Sequence, residues 1–250
     1  MRQIIVFLVA LCIVSCAEEK PTKDFVLKVK VDGLKKGTVY LERQQDSTFT
    51  ILDSLAINGQ EEIQLTSDLS EPEVLFLRLD KNDKEQGVVV FFADKGLTEI
   101  SSSLKNFNFD ATIKGSKQQE VLDEYLLMMS KFNNRNLDMI KERLESAQNN
   151  DSIKLSTLNE DYNSLIKRKY LYTINFAVNH KDSEVAPYLA ISEVPNTSIN
   201  YLQQIYDALE EPIKNSRYGK ELEEMIEQRK KEEAEAQEAL TEDLETEEAE

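Results

Sequence analysis

From Phe25 to Ile113 the chain alternates apolar and polar residues in short runs. In FVLKVKV, Phe25, Leu27, Val29 and Val31 share one face, and Lys28 and Lys30 share the other. That two-residue period belongs to a half-buried strand. TVYLER follows the Gly33–Gly37 turn, ILDSLAI leads into Asn58-Gly59, and EEIQL comes next. Asn-Gly signals a two-residue hairpin, because both residue types tolerate positive φ. EVLFLRLD, VVVFFA ending at Asp94-Lys95-Gly96, LTEISS and FDATIKG complete the series. Roughly seven or eight short strands with regular turns predict an antiparallel, sandwich-like domain over residues 25–115.

At Gly115-Ser116 the period becomes helical. Leu122, Tyr125, Met129 and Phe132 form one stripe, which Leu137, Ile140 and Leu144 extend. A second helix from about Ser152 carries Leu155, Leu158, Tyr162, Leu165 and Ile174 at heptad-like spacing. Ser183 stands as a cap before EVAPYLAISEV, and Thr197 or Ser198 before INYLQQIYDALEE, with Ile199, Leu202, Ile205, Tyr206 and Leu209 as its buried face. These predict a helical domain over 116–228. Residues 229–250 favour helix by propensity but carry few apolar positions, so an acidic tail, disordered or frayed, is expected there. The fold class is α+β.

The N-terminus has a different character. Arg2 precedes an apolar run from Ile4 to Val14, and Glu18 and Glu19 follow it closely. That is signal-peptide length and too short to span a bilayer, which takes about 20 apolar residues. Ile13, Val14, Ser15 and Cys16 resemble the bacterial lipobox. The resemblance implies a signal peptide over 1–15, cleavage before Cys16, and lipidation at the Cys16 sulfur and its new amino group. Residues 16–24 would then be a linker. Each buried methylene contributes about 0.8 kcal/mol, so several acyl chains hold a protein that one chain would not. The acidic pair behind the cysteine looks like the surface-export signal of Bacteroidota lipoproteins. The expected address is the cell envelope, anchored to the outer membrane, on its periplasmic or its surface side.

Charge and composition narrow the chemistry. A formal net charge of -17 disfavours nucleic acid, whose phosphates demand Lys and Arg. The two cysteines are Cys12, in the expected leader, and Cys16. On this reading the mature chain has no thiol for disulfide chemistry or metal binding. His180 is the single histidine, in VNHKDS at an expected helix end. A cation at a helix C-terminus explains it better than a base beside Asp182 and Ser183. No Ca-loop, P-loop, GxGxxG or GxSxG string occurs. Asp53-Ser54 reads as a structural polar pair, and Arg78 and Asp80 as solvent-facing strand positions. No catalytic, cofactor-binding or metal-binding residues are assigned, and no cofactor is expected.

Several segments occur in a familiar order: FVLKVKVDGLKKGTVYLERQQ, ILDSLAINGQEEIQL, EVLFLRLD, FFADKGLTEISSS and ATIKGSKQQEVLDEY. The order resembles the N-terminal domain of unknown function in Bacteroidota lipoproteins of the thioredoxin-like thiol-disulfide oxidoreductase group. FAVNHKDSEVAPYLA and NSRYGKELEEMIE resemble the helical connector of that family. The resemblance covers about Phe25 to Ile226. Val29 stands where the family often has Gly, and Glu62 where an aromatic is common. Family members continue into a thioredoxin-like domain with a Trp-Cys-x-x-Cys site, which has no counterpart here. No functional residue carries over.

The expectation is therefore a non-catalytic envelope lipoprotein, a binding or scaffold module with a protein partner and a lipid contact to the membrane. One alternative is an accessory subunit of an envelope thiol-disulfide system with a separate thioredoxin-like protein. Another is an unrecognised carboxylate-dependent hydrolase, which would need two carboxylates about 5–10 Å apart in a pocket.

Overall fold

The computed structural model describes residues 23–45, 48–60, 62–81 and 87–247, with side chains to residue 239. The expected signal peptide, Cys16 and most of the expected linker lie outside the described residues. Among the described residues eight strands come first: β1 (Phe25–Asp32), β2 (Lys36–Gln45), β3 (Thr48–Asn58), β4 (Ile63–Ser67), β5 (Glu73–Asp80), β6 (Gly87–Ala93), β7 (Gly96–Ser103) and β8 (Thr112–Lys114). They form two four-stranded sheets, ordered β4-β1-β7-β8 and β3-β2-β5-β6. Phe25, Leu27, Val29, Leu65 and Ile100 of the first sheet meet Val39, Leu41, Leu75, Leu77, Leu79 and Phe91 of the second in a closed core. The sandwich and the α+β class are as the alternation predicts.

Two local expectations change. The ladder is not wholly antiparallel, because β1 pairs parallel to β7 from Phe25↔Gly96 to Asp32↔Ser103. Asn58-Gly59 does not close a two-residue hairpin. β3 and β4 lie in different sheets, so the turn carries the chain across the sandwich. Gly59 still supplies the positive φ, at 93°. A side chain ties the two strands: the Asp53 carboxylate accepts from Thr66 N–H at 2.8 Å and from Ser54 N–H at 2.8 Å. The Asp53 carboxylate thus ties β3 to β4.

The helical region follows as α1 (Lys117–Gln148), α2 (Ser152–Asn179), α3 (Val185–Glu193), α4 (Ile199–Ala208), α5 (Glu211–Lys214) and α6 (Arg217–Glu247). Gly115 makes the junction at φ 99°, where an added Cβ would stand 2.2 Å from the Leu97 carbonyl oxygen. Only glycine fits that approach. Ser116 caps α1 by accepting from Gln119 N–H at 3.0 Å. α1 and α2 pack as a long antiparallel hairpin, α1 alone reaching about 48 Å.

The stripe expected along α1 is correct in its first half only. Leu122, Tyr125 and Met129 are buried, and the continuation at seven-residue spacing falls on Met139, 1% exposed. Leu137 and Leu144, 63% and 62% exposed, lie on another face. α2 begins at the expected Ser152, capped by Asp151, and buries Leu158, Leu165 and Ile174. Ser183 accepts from Val185 N–H at 3.2 Å at the start of α3.

Residues 229–250 were expected to be disordered or frayed, yet α6 runs through the 228/229 boundary to Glu247 without a break. Its side chains from Lys231 to Ala239 are exposed. Local chemistry explains a helix without packing. Ala, Glu and Lys are strong helix formers, and Lys231 sits one turn before Glu235 at 3.9 Å. No helix among the described residues is long and apolar enough to cross a membrane.

The helices pack on the outer face of the β3-β2-β5-β6 sheet. Val74 and Phe92 of that face join Leu122, Tyr125, Met129, Phe176, Val185, Leu189 and Tyr218 in a second buried cluster. Two strand N–H groups are satisfied by helix side chains. Phe92 N–H donates to Gln119 Oε1 at 2.7 Å, and Val74 N–H to Tyr218 Oη at 3.0 Å. The sheet thus lies between the other sheet and the helices, but the helices cover only one end of it.

Candidate binding face

Beyond the helices, the outer face of β3-β2-β5-β6 stays open. Cross-strand pairing places Phe76 between Glu42 and Val90, and Ile51 beside Glu42. Phe49, Ile51 and Val90 are 54%, 53% and 46% exposed. Phe49 meets Phe76 edge-to-face at 5.0 Å. In the middle of this apolar surface sits an ion pair. Arg78 donates to Glu42 through Nε at 3.0 and 3.1 Å and through Nη2 at 2.6 Å. The guanidinium also lies 4.0 Å from the centroid of the Tyr40 ring. Arg78 therefore does not face solvent as the strand alternation implied. Its side chain is held against Glu42 and over the Tyr40 ring, and Glu42 is 6% exposed. The fork geometry and the buried acceptor hold the Arg78 pKa above its ordinary value, chiefly through the Glu42 hydrogen bonds.

Where this face meets the helices it becomes a groove of about 500 Å³. Val74, Phe76, Tyr188, Ile191 and Tyr218 give it apolar and aromatic walls, and Gln44, Arg217 and Glu221 stand at its mouth. A second cleft of about 480 Å³ adjoins it, sharing Arg217 and Glu221 and adding Arg43, Glu71 and Glu73. Its carboxylates are all engaged. Glu73 accepts from Arg43 at 2.9, 2.8 and 2.5 Å and from Arg217 at 3.3 Å. Glu71 accepts from Arg217 N–H at 2.9 Å, at the positive end of α6. Glu221 accepts from Arg217 Nε at 2.9 Å. This arrangement clamps α6 to the sheet.

The residues weighed from the sequence do not converge. His180 caps α2, its Nδ1 2.9 Å from the Phe176 carbonyl oxygen and its ring stacked on Phe176. Ser183 donates to Gln118 Oε1 at 2.6 Å. The outer face of the other sheet carries an open depression of about 540 Å³ lined by three cations, Lys28, Lys30 and Lys114, and two anions, Glu62 and Glu99. Among the described residues no group of three His, Cys, Asp or Glu is arranged to hold a metal ion.

Residues 25–122 match a domain of unknown function, DUF4369. No curated protein matches the chain. The matched domain spans both sheets and the first turns of α1. The groove therefore combines Gln44, Val74 and Phe76 from within it with Tyr188, Ile191, Tyr218 and Glu221 from outside it.

Sequence reading gave no hint of Glu184. It is 6% exposed at the start of α3, where its carboxylate accepts from Ser216 Oγ at 2.6 Å. Burial pushes its pKa up to about 7; Glu71 and Asp94 add like-charge repulsion, and the Ser216 hydroxyl opposes both. A carboxyl whose pKa is raised on folding stabilises the native state fully below its unfolded value. That stabilisation is lost as pH rises through the folded value. The sensitive window thus runs from about 4.5 to about 7. Glu184→Gln keeps the acceptor for Ser216 and removes the charge. At pH values above the window it should exceed the parent in stability by about 2 kcal/mol, and near its lower end the two should converge. Urea titrations at both ends of the window check this.

Proposed function

We propose that this chain is a non-catalytic, lipid-anchored module of the cell envelope that binds a protein partner through the groove beside the β3-β2-β5-β6 sheet. The groove carries the reading. Its aromatic and aliphatic walls accept an apolar side chain, and Gln44 and the Arg217–Glu221 pair give the mouth a polar rim. A concave site with apolar walls and a polar rim is the form that recognition of a partner side chain needs. The anchor rests on Cys16 and the lipobox-like run before it, and the strongly acidic chain leaves membrane attachment to acyl chains. The acidic pair Glu18-Glu19 behind that cysteine and the family resemblance support outer-membrane attachment and a Bacteroidota source.

The second reading is an accessory subunit for a separate thioredoxin-like protein. It is favoured by the order of segments shared with the oxidoreductase lipoproteins and by their helical connector.

Two variants expressed in the native host test the proposal. Cys16→Ala should leave the membrane fraction or accumulate as uncleaved precursor. Ser192→Trp fills the groove from an exposed position. It should stay membrane-bound and folded yet lose the partner that the parent protein retains on pull-down from native envelope. Retention of that partner at parental levels would refute the groove. A thioredoxin-like protein as the partner would favour the second reading.

A further inference from the structure

The two edges of the β3-β2-β5-β6 sheet are treated differently. The β6 edge is covered. Phe92 N–H is taken by Gln119 of α1, and Val88 N–H by Asn108 Oδ1 at 2.7 Å. The β3 edge is open. Among the described residues β3 pairs with β2 alone, and Thr48, Phe49, Thr50 and Ile51 are all exposed. Such an edge presents a row of backbone donors and acceptors, which proteins normally blunt with charge, proline, a bulge or a cover. Thr48–Leu52 has no charged residue, no proline and no glycine. The one device present is the register shift at the Leu41/Glu42 step, which puts Leu52 out of register and ends the flat stretch. Past it, Asp53 ties β3 to β4.

We propose that two copies of this chain pair antiparallel through Thr48–Leu52, joining their sheets into one eight-stranded sheet. The segment is self-complementary. A two-fold axis at Thr50 places Phe49 opposite Ile51 of the second copy, on the same outer face, and Ile51 opposite Phe49. Aromatic against β-branched is a favourable cross-strand pair. Phe49 is already braced by Phe76, so it loses little freedom on pairing. Charge also fits a second copy: the chain as a whole repels itself at -17, but this segment is neutral. About five residues on each strand bury on the order of 1,000 Å² in total, the low end for a specific pair. The dimer is therefore concentration-dependent, and salt strengthens it by screening the overall charge. This pairing does not depend on the groove.

Sedimentation of the full chain over a range of concentration and salt gives the first readout, with dimer increasing with both. F49K/I51K sets like charges across the axis and should raise the dissociation constant by about tenfold or more. F49E/I51K removes the same apolar groups but sets opposite charges across the axis, and should dimerise more tightly than F49K/I51K. A cross-link provides a measurement independent of these substitutions. In a chain carrying C12S and C16S, Thr50→Cys should oxidise to a disulfide dimer and Ser54→Cys should not. A monomer at every concentration overturns the proposal. So does a dimer indifferent to F49K/I51K, equal behaviour of the two charged variants, or failure of Thr50→Cys to cross-link.

Discussion

Phe92→Ala should remove about 4 kcal/mol from the unfolding free energy and loosen the helices from the sheet. Phe92 is fully buried, and Tyr188 and Tyr218 present their rings to it edge-on at 5.6 and 5.8 Å. Those tyrosines come from α3 and α6, so the truncation empties the junction between the layers. The cavity cannot be filled by collapse, because the sheet is fixed by its ladder and the helices by one another. Phe91, its neighbour in sequence, points the other way, towards Phe25 at 6.4 Å in the sandwich core. Phe91→Ala should cost a similar amount but leave the junction packed. Urea unfolding of both variants, followed by helical circular dichroism and by hydrogen exchange of the sandwich-strand amides, separates the two. In Phe92→Ala the helical signal should melt ahead of the rest; in Phe91→Ala the two should coincide. A cost under about 1 kcal/mol for Phe92→Ala would mean that the layers are not packed through this ring.

The second large effect is expected at the ion pair on the open face. Arg78→Met should destabilise by about 3 kcal/mol, because it strands the Glu42 carboxylate among apolar neighbours. The pair itself is worth much less than that. Removing both charges in Arg78→Met/Glu42→Leu should recover most of the loss, since a shape-matched apolar pair avoids the desolvation of two ions. Denaturant midpoints of the two single variants and the double close the cycle. If the double variant is as unstable as Arg78→Met, the arginine matters through its stacking on Tyr40 and not through its charge.

The sequence disclosed the framework wherever one face of an element meets a core and the other meets water. EVLFLRLD became β5 residue for residue, because its alternation has a single solution. The helical stripe on α1 was read by following large aliphatics, and it slipped after Phe132. The phase set by Leu122, Tyr125 and Met129 leads to Met139, while Leu137 and Leu144 sit on a face that nothing in the chain covers among the described residues. Alternation correctly put Arg78 on the outer side of its strand but could not say what lies over that side. The groove was illegible for a related reason. Phe76, Tyr188, Ile191 and Tyr218 each read as ordinary core positions, and only the placement of α3 and α6 against β5 leaves a gap between them. Glu184 carried no signal beyond an acid at a helix start, which is commonplace; its hydrogen-bond partner Ser216 and the like charges Glu71 and Asp94 are all distant in sequence.

The parallel pairing of β1 with β7 has a bearing on how the chain reaches this state. Sheet β3-β2-β5-β6 is built from strands that follow one another closely, and its ladder can close as its residues become available. β1 is the first strand among the described residues, yet it lies inside the other sheet. Its partners are β4 and, much later, β7. Until Gly96–Ser103 arrives, β1 can satisfy its backbone along β4 alone, and its second edge stays open beside an apolar face. The entropy of closing that long loop comes due before the core contacts reward it, which places the docking of β7 late and makes it slow. A chain delivered N-terminus first thus leaves one edge of β1 unpaired until Gly96–Ser103 is in place.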